Sequence, residues 1–204
     1  MTGVEGPAGG APEISALVRQ DVERLLWTIE HGRRLHAPES QHVDLKEEAN
    51  RRLNNGRVLP GHSENEEAAV YLAPEVCCMA NTPLGGALVL GVEDGTLLPI
   101  GTELDADWLA ERVFVLCGVR VAVERRYLLG HRVLILWVPE SPTPVLGPDG
   151  KLRWRVQDSC LAVDLQTWWR ARWHADEDPV SDVEPRHGDG GESGGLGVGE
   201  PTSE

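Results

Sequence analysis

The chain has no run approaching the about 18 consecutive apolar residues that a membrane-spanning helix needs. Its first residues, Met1 to Pro12, are rich in Gly and Pro and lack the basic and apolar blocks of a secretory leader. The expectation is a cytoplasmic protein with no membrane partner. A cysteine framework is missing too: Cys77, Cys78, Cys117 and Cys160 show no C-x-x-C spacing, which argues against zinc and against a small disulfide scaffold. They read as reduced, mostly buried thiols, and the adjacent pair Cys77-Cys78, pointing about 100° apart on a helix, reads as packing. His42 and His62 have no metal-ligand spacing with any cysteine, so no zinc is expected. Positive charge is scarce, with a net charge of -14. Phosphate binding runs on Lys and Arg releasing counterions, so overall charge cannot drive it and any nucleic-acid site must be a local patch of modest affinity. There is neither a GxxxxGK[ST] loop nor a GxGxxG turn ahead of a helix. Gly85 and Gly86 therefore read as tight turning or close backbone packing, which weighs against ATP.

What is present suffices for one domain: 204 residues, 41% of them hydrophobic. Much of the acidity sits at the end, where residues 164 to 204 carry three basic against ten acidic side chains. The expected organisation is a flexible stretch over 1–12, an N-terminal helix over 13–34, a body over 35–173, and a disordered acidic, Gly-rich tail over 174–204. Within the first helix, Ile14, Leu17, Val18, Val22, Leu25, Leu26 and Ile29 recur every three to four residues. Glu39 to Lys46 then alternates, with Val43 and Leu45 on one face and His42, Asp44 and Lys46 on the other. Ser63 with Glu66 has the form of a capping box opening a second helix to about Asn81. The apolar run from Gly86 to Val92 predicts a strand buried on both faces, and Asp105 to Leu116 a third helix. Strands are predicted over 119–123, 132–138 and 152–156, and a last helix over 164–173. This order gives an α/β (α+β) body, a mixed sheet flanked by helices in two or three layers.

Three pieces stand in a recognisable order: Glu39-Ser40-Gln41-His42-Val43-Asp44-Leu45-Lys46, then Met79-Ala80-Asn81-Thr82, then Gly85-Gly86-Ala87-Leu88-Val89-Leu90-Gly91-Val92-Glu93-Asp94-Gly95. With Val138-Pro139 and Arg153-Trp154-Arg155-Val156 further on, the chain resembles the AlbA-type domain of the Schlafen family over roughly residues 38 to 169. Asp44 and Leu45 stand where the family usually has glutamate and phenylalanine, and the 81–86 segment is one residue longer than usual. The resemblance implies a nucleic-acid-binding fold and, in members that cut RNA, a trio of carboxylates. By position these are Glu39 and Asp44, with Glu93 or Asp94 as the third. As catalytic and metal-binding candidates they suit Mg²⁺ or Mn²⁺, which prefer oxygen ligands. Glu39 and Asp44 are five apart, so a straight strand points them to opposite faces and Glu39 must lie in a bend if they are to meet. Asp94-Gly95 is equally a plain turn signal.

Candidate phosphate contacts are Lys46, Arg51 and Arg52, together with Lys151, Arg153 and Arg155, whose spacing of two predicts a basic stripe on one strand face with Leu152, Trp154 and Val156 on the other. A solvated sheet face explains that stripe as well. Trp154, Trp168 and Trp169 suit either base stacking or burial. Three readings remain: a DNA- or RNA-binding module of transcription-regulator type, a metal-dependent endoribonuclease, or an interaction protein whose Trp-rich last helix docks a partner, a second copy included.

Overall fold

The computed structural model describes residues 13–32 and 39–173; the predicted N-terminal stretch, Arg33 and Arg34 of the first helix, and the acidic tail lie outside them. The first helix, α1 (Ala16–Glu30), starts at Ser15, whose hydroxyl accepts from Leu17 N–H, and presents Val18, Val22, Leu25, Leu26 and Ile29 as one buried stripe. The alternating segment forms β1 (Val43–Lys46). The second helix, α2 (Glu66–Asn81), is capped by Asn65, which accepts from Ala68 N–H. The predicted Ser63 cap is displaced because Asn65 is held from the other side, donating to Glu48 Oε1 and the Ala49 carbonyl.

The remaining elements are β2 (Gly86–Leu90), α3 (Ala106–Cys117), β3 (Ala122–Leu128), β4 (His131–Val138), β5 (Arg153–Val156), β6 (Ser159–Ala162) and α4 (Leu165–Trp173). Asp105 caps α3 by accepting from Asp107 and Trp108 N–H, and Gly118 closes it with a left-handed backbone. The strand predicted over 119–123 lies three residues late and runs to Leu128. Its Glu124-Arg125-Arg126 run is polar because β3 is an edge strand. β6 has no counterpart among the predicted elements.

The main sheet is mixed, in the order β1-β2-β4-β3, with β1 and β2 parallel and the other pairs antiparallel. α2 is the crossover between the parallel pair. One face of the sheet, with Val43, Leu45, Ala87, Val89, Ile135 and Trp137, packs on α1. The other, with Leu88, Leu90, Leu134, Leu136 and Val138, packs on α2 and α3. The result is three layers, α on β on αα, and β2 and the inner half of β4 are buried on both sides as their unbroken apolar runs require. β5 and β6 form a separate hairpin lying against α2.

Two cysteines depart from the expectation of four reduced thiols. Cys78 on α2 and Cys160 on β6 form a disulfide, while Cys77 and Cys117 are free. The hairpin folds back onto α2 and brings together two residues 82 positions apart, a pairing that no local spacing encodes. No helix among the described residues is long and apolar enough to cross a membrane.

Candidate functional site

The site forms where the start of β1, the buried side of α2 and the inner face of β5 converge. Asp44 points away from the α1 side of the sheet, as the alternation of β1 dictates, and its side chain is 1% exposed. Glu39 precedes the strand in a bend secured by Ser40 N–H to the Val43 carbonyl. From there its carboxylate folds back to accept from Leu45 N–H at 3.1 Å, and it meets Asp44 at the shared Arg155 Nη2. The bend thus solves the problem of the odd spacing.

Two cations answer these acids. Arg155, 2% exposed, donates from Nη2 to Glu39 Oε2 at 2.9 Å and to Asp44 Oδ1 at 3.2 Å, and from Nε to the Ser40 carbonyl at 2.9 Å. Lys46, at 18% exposure the open member of the group, places Nζ 2.8 Å from Asp44 Oδ2. Burial works to lower the Lys46 pKa, but the neighbouring charges of Asp44, Glu75 and Glu39 outweigh it and the net shift is upward. Glu75 on α2, absent from the sequence candidates, is the third carboxylate here. Burial raises its pKa against the opposing charge of Lys46. Only tertiary packing reveals it, because the helical pattern of α2 marks Glu75 as one more solvated acid.

Glu39 is pushed up to about 7, first by burial, then by the neighbouring Asp44 carboxylate, against the Leu45 N–H and Arg155. A raised carboxyl favours the protonated folded state. This contribution to stability is therefore present below the ordinary value of 4.5 and is lost as pH rises through about 7. Glu75 acts in the same sense. Denaturant melts from pH 4.5 to 7.5 should show Glu39 contributing a decline of at most about 1.4 kcal/mol per pH unit. Glu39→Gln should flatten that decline; an unchanged slope would mean that Glu39 titrates normally.

The arginine is delivered by the end of α2. Asn81, fully buried, donates from Nδ2 to the carbonyls of Val145 (2.7 Å) and Arg153 (2.9 Å) and accepts from Val145 N–H at 2.8 Å. Thr82 Oγ1 donates to the Cys78 carbonyl and accepts from Arg155 N–H at 2.8 Å. Trp168 of α4 is buried against the same turn, with Nε1 donating to the Asn81 carbonyl at 3.2 Å. These contacts give structural roles to the Asn-Thr pair.

The other candidates are dispersed. The predicted stripe is split: Arg155 is enclosed, Arg153 is held bidentately by Asp149 at 2.8 and 2.6 Å, and Lys151, ahead of β5, stands exposed. Val156 lies on the outer side and is exposed. Arg51 is buried, donating to Glu48, the Leu59 carbonyl and the Gly101 carbonyl, and so braces the 47–65 segment. Arg52 pairs with Glu47 and Glu93, at 2.8 and 2.7 Å. Glu93 also accepts from Thr96, and Asp94 is exposed in the following turn. Both acids lie beyond Leu90, the register partner of Lys46, whereas Glu39 precedes β1, so the structure separates them from the Glu39–Asp44 pair. Trp154 is half-buried and Trp169 lies at the surface.

While Arg155 is seated, the carboxylates leave no open place for Mg²⁺ or Mn²⁺. Oxygen ligands are present, but Arg155 holds Asp44 Oδ1, and Oδ2, buried without a hydrogen-bond partner, faces the Lys46 ammonium at 2.8 Å. Among the described residues no group of three His, Cys, Asp or Glu is disposed to hold a metal ion. Gly85 and Gly86 serve the backbone. Gly85 has φ +71, and a Cβ there would meet Val138, Pro139 and Glu140 backbone atoms, while one on Gly86 would meet Met79 and the His42 carbonyl. His42 Nδ1 bonds the Gly85 carbonyl at 3.1 Å.

Comparison with curated proteins found no match. Among solved structures, the crystal structure of the DIP2311 protein from Corynebacterium diphtheriae is similar, at 44% sequence identity with a TM-score of 0.69, over 76% of this chain and 31% of that one. The chain thus spans about a third of the length of that protein. The family profile described as Schlafen, AlbA_2 matches residues 39–164, which run from the bend before β1 to the residue ahead of α4. With more than half of its length matched, this chain belongs to the Schlafen AlbA_2 family.

Proposed function

We propose that this chain is a nucleic-acid-binding module whose contact surface is centred on Lys46 and the rim of the β5–β6 hairpin. The family is associated with nucleic-acid binding in general. One observation carries the assignment to this surface. Glu39, Asp44, Lys46 and Arg155, scattered over more than a hundred residues and all within the matched segment, form one bonded cluster that opens to solvent at Lys46. Arg153 stands on the hairpin that closes it, and Lys151 just ahead of β5. Phosphate would meet a few cations set among acids, so binding should be modest and strongly salt-dependent. Retardation of labelled tRNA, single-stranded DNA and duplex DNA at low ionic strength tests this. Binding should weaken steeply with added salt and fall several-fold in Lys46→Gln with Lys151→Gln. No salt-sensitive binding to any of the three would end the proposal.

A second reading, a metal-dependent endoribonuclease, is favoured only by the convergence of Glu39 and Asp44 on one Arg155 nitrogen, because paired carboxylates are what phosphodiester cleavage needs. It requires Arg155 to leave them first. Under this reading Mn²⁺ induces cleavage that a chelator stops and that Glu39→Ala with Asp44→Ala abolishes. Equal cleavage by that double variant would exclude it.

A further inference from the structure

The disulfide stands directly behind the cluster. Cys160 on β6 is the cross-strand partner of Arg155 on β5, and its sulfur is bonded to Cys78 on α2. The carbonyl of Cys78 accepts from the same Thr82 hydroxyl that receives Arg155 N–H. The covalent bond and the arginine are therefore two ends of one short connection. Besides the disulfide, the hairpin is seated through β5 alone, by Asn81 on the Arg153 carbonyl, by Thr82 on Arg155 N–H and by the Arg155 side chain itself; Cys160 is the covalent hold on β6. The hairpin is a two-stranded sheet separate from the main one, with Val156 and Leu161 exposed on its outer side, and such a ribbon is marginal unless something holds it. The two sulfurs also differ in access: Cys78 is fully buried, while Cys160 is half-buried.

We propose that the Cys78–Cys160 disulfide is a redox latch that keeps Arg155 seated on Glu39 and Asp44, and that its reduction by a dithiol releases the hairpin and opens the cluster. In the first step a thiolate of the dithiol attacks Cys160 Sγ, the more accessible sulfur. The bond to Cys78 breaks, and Cys78 leaves as a thiolate that takes up a proton. The second thiol of the reductant then attacks its own sulfur in the mixed disulfide and frees Cys160, which is protonated in turn. Two electrons pass to the protein, two thiols form, and the dithiol becomes a disulfide. Arg155 then has no covalent tether across the hairpin. Its guanidinium exchanges the buried carboxylates for solvent beside Lys151 and Arg153, and Glu39 and Asp44 become accessible. That this opening governs ligand binding rests on the nucleic-acid reading above; the opening itself does not.

Arginine labelling with phenylglyoxal, quantified residue by residue by mass spectrometry on the full chain, reads the latch without any ligand. Arg155 should label at least tenfold faster after reduction and desalting, and faster also in Cys160→Ser without reductant. Arg51, buried against Glu48 away from the hairpin, should stay protected throughout. Equal Arg155 labelling in the oxidised and reduced protein would overturn the latch, and so would a parallel rise at Arg51, which would signal general unfolding. Retardation of labelled tRNA by the same two samples separates the claims. Faster labelling with stronger binding supports both, whereas faster labelling with no binding in either state upholds the latch and removes the nucleic-acid reading.

Discussion

Replacing Arg155 by alanine should cost about 3–5 kcal/mol of stability, the range found when one partner of a buried ion pair is removed and the other charge is left uncompensated. The reason lies in what remains. Glu39 and Asp44 would face each other in a dry site with only Lys46 nearby, and the Ser40 carbonyl would lose its donor. The cost should fall if the acids leave too. In a double-variant cycle with Asp44→Ala, the pair should be destabilised by less than the sum of the single changes, with a coupling of about 1–3 kcal/mol. Urea denaturation measures all four states. A loss below about 1 kcal/mol for Arg155→Ala would show that the cluster is solvated and the hairpin seated by other contacts.

Gly85→Ala should be the next most damaging change, at about 2–5 kcal/mol, adding left-handed strain to overpacking. The residue has φ +71, and a Cβ would lie 2.7 Å from Glu140 N and 2.9 Å from Pro139 C, besides meeting the Val138 carbonyl oxygen. All three are backbone atoms at the exit of β4 and cannot swing aside. The displacement would reach the site through His42, which bonds the Gly85 carbonyl just ahead of β1. Gly95→Ala is the control: it has a similar φ of +82 but nothing within 4 Å, so it should lose only the left-handed strain of about 1–2 kcal/mol. Equal melting shifts for the two variants would show that crowding at Gly85 plays no part.

The layers of this fold were legible because their signals are local. The alternation of Val43, Asp44, Leu45 and Lys46, the unbroken run of β2 and the helical stripe of α1 each state which side is buried, and the sheet obeys. The bend at Glu39 was legible too, from the odd spacing of two acids that have to meet. β5 shows where the local rule fails. Leu152, Trp154 and Val156 alternate with Lys151, Arg153 and Arg155, and pattern alone turns the apolar side inward. The pattern holds at the start, where Leu152 is buried and Lys151 exposed, but at Arg155 and Val156 the acids of β1, its preceding bend and α2 reverse it, since buried carboxylates without a cation cost more than an exposed valine. Glu75, the third acid, carried no signal in a helix whose other acids are solvated. The disulfide carried none either: Cys78 looked like a packing residue beside Cys77, and its partner lies on a strand too short to be read from the sequence. Glu93 and Asp94 stood beside the right strand but beyond its far end, a distinction that depends on the parallel register of β1 and β2.

Photocrosslinking bound single-stranded RNA or DNA to the full chain at low salt, then mapping the adducts by mass spectrometry, addresses the central claim directly. The cluster at the head of β1 and the rim of the β5–β6 hairpin are held to be one nucleic-acid-contacting surface, so adducts should concentrate in residues 39–46 and 151–155. Adducts confined to α1 or the β3 edge, with none in those two segments, would contradict the account.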